Sequence, residues 1–518
     1  MSGIRAGICL PLIMIFANAA AADETPPPLS AIDWLSRSVA TPTAMPRPGA
    51  PANEPPVAAN PMPGAITSRS LSTQTLDAIG ILPVRSTGLP KGLWGATPEA
   101  DLARLIQAER AEALPAVQSL LYTLLLAELD PPDDASGEGG LFLARIDKLL
   151  DLGALDPALS MLEQVNPPSA EPFRRWFDIA LLTGQEDRAC TVMRGTPQVA
   201  PTFPARVFCL ARGGDWNAAA LSLRTGETLG YIEPDLARLL EHFLDPDLFE
   251  GEPDLPLPDR PSPLVLRMME AIGQPMPTAT LPVAFAQADL RSNAGWKTRL
   301  DAAERLARTG AIQANQLFGL YTESAPSASG GVWERVAAVQ DLDAALTGGD
   351  PAKIATALSA AWFEMTAVEL EVPFASFFAD RLTKAGLTGP AGTIAFRTAL
   401  LSDGYEKAAR ALTPATGEEA FLAGIATGKL DGVTPGDQMG VAIKAAFLPA
   451  TPLREDYATL KSDDRLGEGI LKAIDDITEG ARGDLRDVTG GLRFLREVGL
   501  ETVARRASLE LLLLERRG

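Results

Sequence analysis

The chain has 518 residues, 46% of them hydrophobic, with 46 basic and 66 acidic side chains and a formal net charge of −20. That much negative charge repels nucleic acid and anionic lipid, so neither is expected as a partner. One histidine and three cysteines leave few of the residues that proton transfer and zinc binding use most, so neither a cofactor nor a metal is expected.

Residues 1–22 read as a signal peptide. Arg5 gives the positive start, Ile8 to Phe16 the apolar core, and Ala17-Asn18-Ala19 and Ala20-Ala21-Ala22 the small-residue cleavage triplets. Cys9 lies inside the apolar core after Ile8, which argues against a lipidation site. No later segment is apolar for the roughly 20 residues a membrane helix needs, so no integral segment is expected after cleavage. The expected location is the periplasm. There Cys190 and Cys209, the pair left once Cys9 is removed, are expected to form a disulfide.

Residues 23–65 are expected to be a disordered tether, since 26–63 holds eleven prolines and few large apolar groups. Residues 29–39, LSAIDWLSRSV, interrupt it. Ser30 and Asp33 have the spacing of a helix cap, and Ile32, Leu35 and Val39 share one helical face with Trp34 beside them. This motif predicts docking, either into a partner's groove or back onto its own domain. Residues 66–95 are expected to lie as irregular coil.

Helices follow. Thr97-Pro98-Glu99 predicts an N-cap, a proline at the first helical position and an acidic first turn. Leu102, Leu105 and Ile106 continue at helical spacing, and strand signals are nearly absent. The expected division is an N-terminal helical repeat domain at 96–250, a linker at 251–263 with five prolines, and a C-terminal helical domain at 264–518.

Within these helices one unit recurs: a glycine followed five residues later by alanine. It occurs at Gly153 and Ala158, Gly184 and Ala189, Gly214 and Ala219, Gly404 and Ala409, and Gly499 and Ala504. The first three glycines are 31 and 30 residues apart. Glycine permits a sharp turn between two helices, and alanine lets the second helix approach the first closely. Over residues 141–230, and most closely at Gly214-Asp215-Trp216 with Ala219, this pattern resembles the tetratricopeptide-type helical repeat. The resemblance implies an all-α fold of stacked helix hairpins, a TPR-like α-solenoid, presenting a long surface to a peptide or protein. In such a stack Cys190 and Cys209 fall on neighbouring helices.

Catalytic signatures are sparse. There is no G-x-S-x-G elbow, no S-x-x-K and no phosphate loop. His242, in LLEHFLDP, is expected to be a partly exposed helix residue. Asp130, Asp133, Asp134 and Glu138 form one acidic cluster, and Asp245, Asp247, Glu250, Glu252 and Asp254 another. Neither has calcium-loop spacing, so solvated loop carboxylates are expected. Residues 319–333, GLYTESAPSASGGVW, resemble the Glu-Ser segment of lytic transglycosylases, which join a lysozyme-like domain to a helical superhelix. That resemblance implies Glu323 as an acid/base held in an apolar pocket, although the family's Gly-Leu-Met-Gln segment does not follow.

The expectation is a non-enzymatic periplasmic scaffold for protein–protein interaction in the bacterial cell envelope, with an envelope protein or peptide as partner. The alternatives are a peptidoglycan-active enzyme using Glu323 and a small-ligand-binding helical protein.

Overall fold

The computed structural model describes residues 75–166, 168–411 and 414–514. The signal peptide, the tether and the 29–39 motif lie outside the described residues. Those described form an all-α structure of twenty-five α-helices and four short 3-10 helices, without strands; an isolated bridge joins Leu82 to Ala127.

The helices fall into four runs. The first is α1 (Val84–Thr87), α2 (Glu99–Ala108), α3 (Pro115–Leu126), α4 (Gly140–Asp151) and α5 (Leu155–Leu162). The second is α6 (Ala170–Thr183), α7 (Glu186–Gly195), α8 (Phe203–Arg212), α9 (Trp216–Thr228), α10 (Pro234–Leu244) and α11 (Pro263–Ala271). The third holds α12 (Ala286–Asp289), α13 (Trp296–Arg308), α14 (Ala314–Tyr321), α15 (Val332–Gly348), α16 (Pro351–Ala367), α17 (Glu371–Lys384) and α18 (Gly389–Leu400). The last is α19 (Tyr405–Ala411), α20 (Gly417–Thr427), α21 (Gln438–Phe447), α22 (Glu455–Ser462), α23 (Leu466–Gly480), α24 (Leu485–Glu497) and α25 (Glu501–Leu513).

Local chemistry starts many of these helices. Thr202, Asp215, Ser262, Asp350, Thr416, Asp437 and Asp484 each accept a first-turn N–H of the helix that follows. At α2 the cap differs from the expected one. The helix begins after Pro98, the Thr97 hydroxyl is buried without a partner, and the Glu99 N–H instead donates to Asp134 Oδ1 at 2.9 Å. Proline has fixed the entry angle, and a loop carboxylate 35 residues away supplies the acceptor.

Three apolar cores result. The first takes residues from both ends of the described chain, α2–α5 together with α19–α25, and reaches into α6, α11, α12, α17 and α18. Here α3 packs on α25, and α23 packs on both α2 and α3. Glu510 Oε2 accepts the Ala116 N–H at 2.7 Å, capping α3 from a residue 394 positions away. The segment before α2 is drawn into the same core. Trp94 is fully buried, and the Gly467 N–H donates to Leu93 O at 2.9 Å.

The second core belongs to α6–α11, with α11 returning to pack on α6. The proline-rich 251–263 stretch carries no helix of its own up to Pro263 and joins α10 to α11 inside this lobe; the Leu255 N–H donates to Gln274 Oε1 at 3.0 Å. The third core belongs to α12–α18. It is tied to the first at the α4–α5 turn. Gln287 Nε2 donates to Gly153 O and Thr309 Oγ1 to Leu152 O, each at 2.8 Å, and Tyr122 OH donates to Thr309 O at 3.0 Å. Among the described residues no helix is long and apolar enough to cross a membrane.

Candidate functional site

Four of the five recurring glycines take the left-handed conformation: Gly153, Gly184, Gly214 and Gly499, with φ between 77° and 85°. Each ends one helix just before the next begins, and Ala158, Ala189, Ala219 and Ala504 are then fully buried in the following helix. Gly153 is doubly constrained, because a Cβ there would stand 2.8 Å from Leu306 Cδ2. Gly404 differs: it lacks a positive φ, and a Cβ there would meet only Ser402 Oγ at 3.5 Å. Ala409 is buried beside it on α19.

Cys190 on α7 and Cys209 on α8 stand at disulfide distance, with Cα atoms 5.0 Å apart. Both are buried, so the link clamps the middle of the second lobe.

That lobe also carries most of the apolar surface left in the open. Among the described residues ten large hydrophobic side chains are exposed, and six of them fall between residues 216 and 257: Trp216, Leu221, Leu229, Tyr231, Leu248 and Leu257. The cause is visible in α9, which buries only Ala219, Leu223 and Gly226. It does so while packing on both α8 and α10. Trp216 stays 52% exposed and Leu221 70%.

Where the lobe meets the first run, α5, α6 and α7 border an apolar groove of ≈ 350 Å³. Leu162, Val165, Pro172, Phe173, Trp176 and Val192 line it. Phe173 meets the Trp176 ring edge-on, with centroids 5.3 Å apart. The Arg188 guanidinium lies over the same indole at 5.5 Å and pairs with Glu163 at 2.5 Å across the rim. The groove therefore has an aromatic floor and one ion pair at its edge.

A larger cleft, ≈ 620 Å³, opens between α11, the 275–279 loop, α12 and α13. Its charged groups answer one another. Burial works against the Glu270 carboxylate, but bonds from Arg291 at 2.7 Å and Asn293 at 2.9 Å, with Arg267 adjacent, keep its pKa below the usual range. Burial raises the pKa of Asp289, opposed by the bond it accepts from Thr278 and by nearby Arg305. Arg305 donates to Thr278 O and Leu281 O at 2.9 and 2.7 Å. The arrangement offers a mixed-charge, water-accessible recess.

The other candidates are dispersed. Glu323 follows α14, 45% exposed, and accepts Arg299 Nη1 at 2.8 Å; no apolar pocket surrounds it. His242 is buried rather than partly exposed. Its ring stacks on Phe249 at 3.9 Å, and Nε2 has no partner. The reason is the turn at Pro246–Phe249, which folds an aromatic ring over the end of α10. In the acidic clusters Asp130 pairs with Lys91 at 3.0 Å and Glu252 with Arg238 at 3.6 Å. Among the described residues no group of three or more His, Cys, Asp or Glu side chains converges to hold an ion. Ile32, Trp34, Leu35 and Val39 lie outside the described residues.

Sequence reasoning passes over a set of buried ionic groups. Arg145 is fully enclosed and donates to four backbone carbonyls: Leu125 at 2.8 Å, Asp77 at 3.2 Å, Ile79 at 2.9 Å and Ala127 at 2.7 Å. Arg175 grips Asp147 with two bonds, at 2.5 and 2.8 Å. Burial raises the pKa of Asp178 well above the usual carboxyl range, although Arg174 and Arg175 oppose it. The available signal is a charge set within an apolar run, as in LFLARIDKLL, where a surface helix would keep its charges on one side.

Compared with protein-family models, curated proteins and solved structures, the chain has no match.

Proposed function

We propose that this protein is a non-enzymatic scaffold of the bacterial cell envelope, exported to the periplasm, in which TPR-like helix hairpins present a recognition surface to an envelope protein or peptide. The observation that carries this reading is that six of the ten exposed large apolar side chains among the described residues fall within the 216–257 stretch of the second lobe, Trp216 and Leu221 among them. Exposed apolar groups gathered in one region characterise interaction surfaces, whereas single scattered ones do not. Left-handed glycines at successive hairpin turns and buried alanines after them support the repeat architecture. The Cys190–Cys209 pair supports an oxidising compartment.

The test is affinity capture from native periplasm by the full chain and by Leu221→Glu with Trp216→Ala, quantified by mass spectrometry. Scaffold function predicts one or more envelope proteins depleted at least about tenfold by the double change, the scale of losing interface anchors. An identical captured set from both chains sinks the reading.

A second reading, small-ligand binding, draws on the mixed-charge cleft at Glu270, Asp289 and Arg305. Thermal-shift screening of Glu270→Gln against the unmodified chain separates the two, since scaffold function predicts no ligand that distinguishes them.

A further inference from the structure

We infer that the apolar groove between α5, α6 and α7 is the seat of this chain's own residues 29–39, so that the chain covers one of its recognition surfaces itself. The inference deepens the scaffold reading, on which it rests, by naming the occupant of this one site.

The location of the described N-terminus carries the argument. Gln164 Nε2 donates to Gly80 O at 3.5 Å. Gln164 stands between Glu163 and Val165, both on the groove wall. The described chain starts at Thr75, five residues before Gly80. Thr75 is therefore joined by at most about 18 Å of chain to Gly80, which Gln164 holds next to the groove wall.

Reach is ample. Residues 40–74 separate the motif from Thr75, and a stretch of that length spans up to about 120 Å. The motif has to return over far less. Attachment also replaces a bimolecular encounter with an intramolecular one, which raises the effective concentration of the segment. A weak contact is then enough to hold the segment in place.

The chemistry matches as well. Between the export signal and Thr75, residues 29–39 bring together the large apolar side chains Leu29, Ile32, Trp34, Leu35 and Val39, within a region otherwise dominated by proline, alanine and polar residues. The groove offers Trp176 and Phe173 as a floor and Leu162, Val165 and Val192 as walls. An indole with an aliphatic neighbour satisfies such a recess, and aromatic pairs add to the area they bury.

The experiment uses a fluorescent peptide of residues 27–41 and full chains, read by anisotropy. In the unmodified chain the tethered segment competes with the peptide. In the Ile32→Ser, Trp34→Ala, Leu35→Ser chain the groove is open, and the peptide binds at least about tenfold more tightly. Adding Val192→Glu on the groove wall removes that binding, while circular dichroism and the thermal midpoint stay those of the parent. A photo-crosslinker at position 34 of the otherwise unmodified chain reports independently, with adducts expected on α5, α6 or α7 of the same molecule. Equal peptide affinity for both chains, no peptide binding to either, insensitivity to Val192→Glu, or adducts only on other surfaces or between molecules would each overturn the inference. None of these outcomes touches the Trp216 and Leu221 capture experiment, so the scaffold reading stands or falls separately.

Discussion

In the core shared by the two ends of the described chain, buried charges are answered at long sequence range; in the second lobe the chain is clamped locally and leaves apolar side chains in the open. Arg145 holds four carbonyls from two segments, and Glu510 caps α3. In α7–α10 the ties are shorter than that of Glu510: the buried Glu186 accepts from Arg267, 81 residues away, a cystine across 19 residues joins adjacent helices, and α9 buries a single stripe. The contrast teaches that two regions with the same helical vocabulary can be specialised differently. One spends its polar groups on closure, and the other uses a covalent clamp to stay folded while keeping an apolar face available. A small core supplemented by a disulfide is a usual solution when burial alone is insufficient.

The largest effect that could break this comparison is expected at Arg145. Arg145→Met keeps the length of the side chain but leaves buried carbonyls without donors, at a cost of roughly 4 kcal/mol. Chemical denaturation reads it, and a loss below about 1 kcal/mol would remove the premise that buried ionic groups hold the closing core.

Next comes the clamp. Changing Cys190 and Cys209 to alanine should cost about 3 kcal/mol. Hydrogen exchange should accelerate in residues 170–271 and stay slow in α3 and α25. Uniform acceleration across both regions would show that the lobe and the closing core unfold together.

The closing core also carries a pH signature. Burial, reinforced by nearby Asp475 and opposed by Lys148, pushes the Glu109 carboxyl up to about 8. The folded chain then holds a proton that the unfolded chain releases near 4.5. This contribution is present below about pH 4.5 and is lost as pH rises toward 8, so stability falls across that window. Glu109→Gln should flatten the fall, by roughly 2 kcal/mol at pH 8. Matching melting profiles for the two chains from pH 5 to 8 would contradict the assignment.

The hairpin turns sharpen the comparison further. Gly153→Ala meets both a φ of 78° and the Leu306 side chain, and is expected to cost about 2 kcal/mol. Gly404→Ala meets neither and should stay within about 0.5 kcal/mol. The smallest effect is expected at the exposed face. Leu221→Ser should leave the melting temperature within a degree or two, as read by calorimetry, because the side chain it removes is 70% exposed.

Much of the local structure was legible beforehand. The 3.6-residue spacing of leucines, the near absence of strand patterns and the glycines or prolines that end the segments all pointed to helices, because these signals arise from contacts within a few residues of one another. The pairing of Cys190 with Cys209 followed from their number and their places on adjacent hairpin helices. Thr97 shows the limit of such signals, since an acceptor distant in the chain, Asp134, displaced the expected cap. His242 shows another. Its burial depends on Phe249, which no helical period connects to it.

The amino-acid sequence by itself determined the helices, the left-handed turns at Gly153, Gly184, Gly214 and Gly499, and the cysteine pair, because each is governed by backbone conformation or by near neighbours. Only the tertiary structure decided that α2 and α3 pack against α23 and α25, that Arg145 and Arg175 are buried, and that apolar side chains remain open on the second lobe. Those outcomes depend on which faces meet across as many as 394 residues, and local periodicity carries no record of a partner that far along the chain.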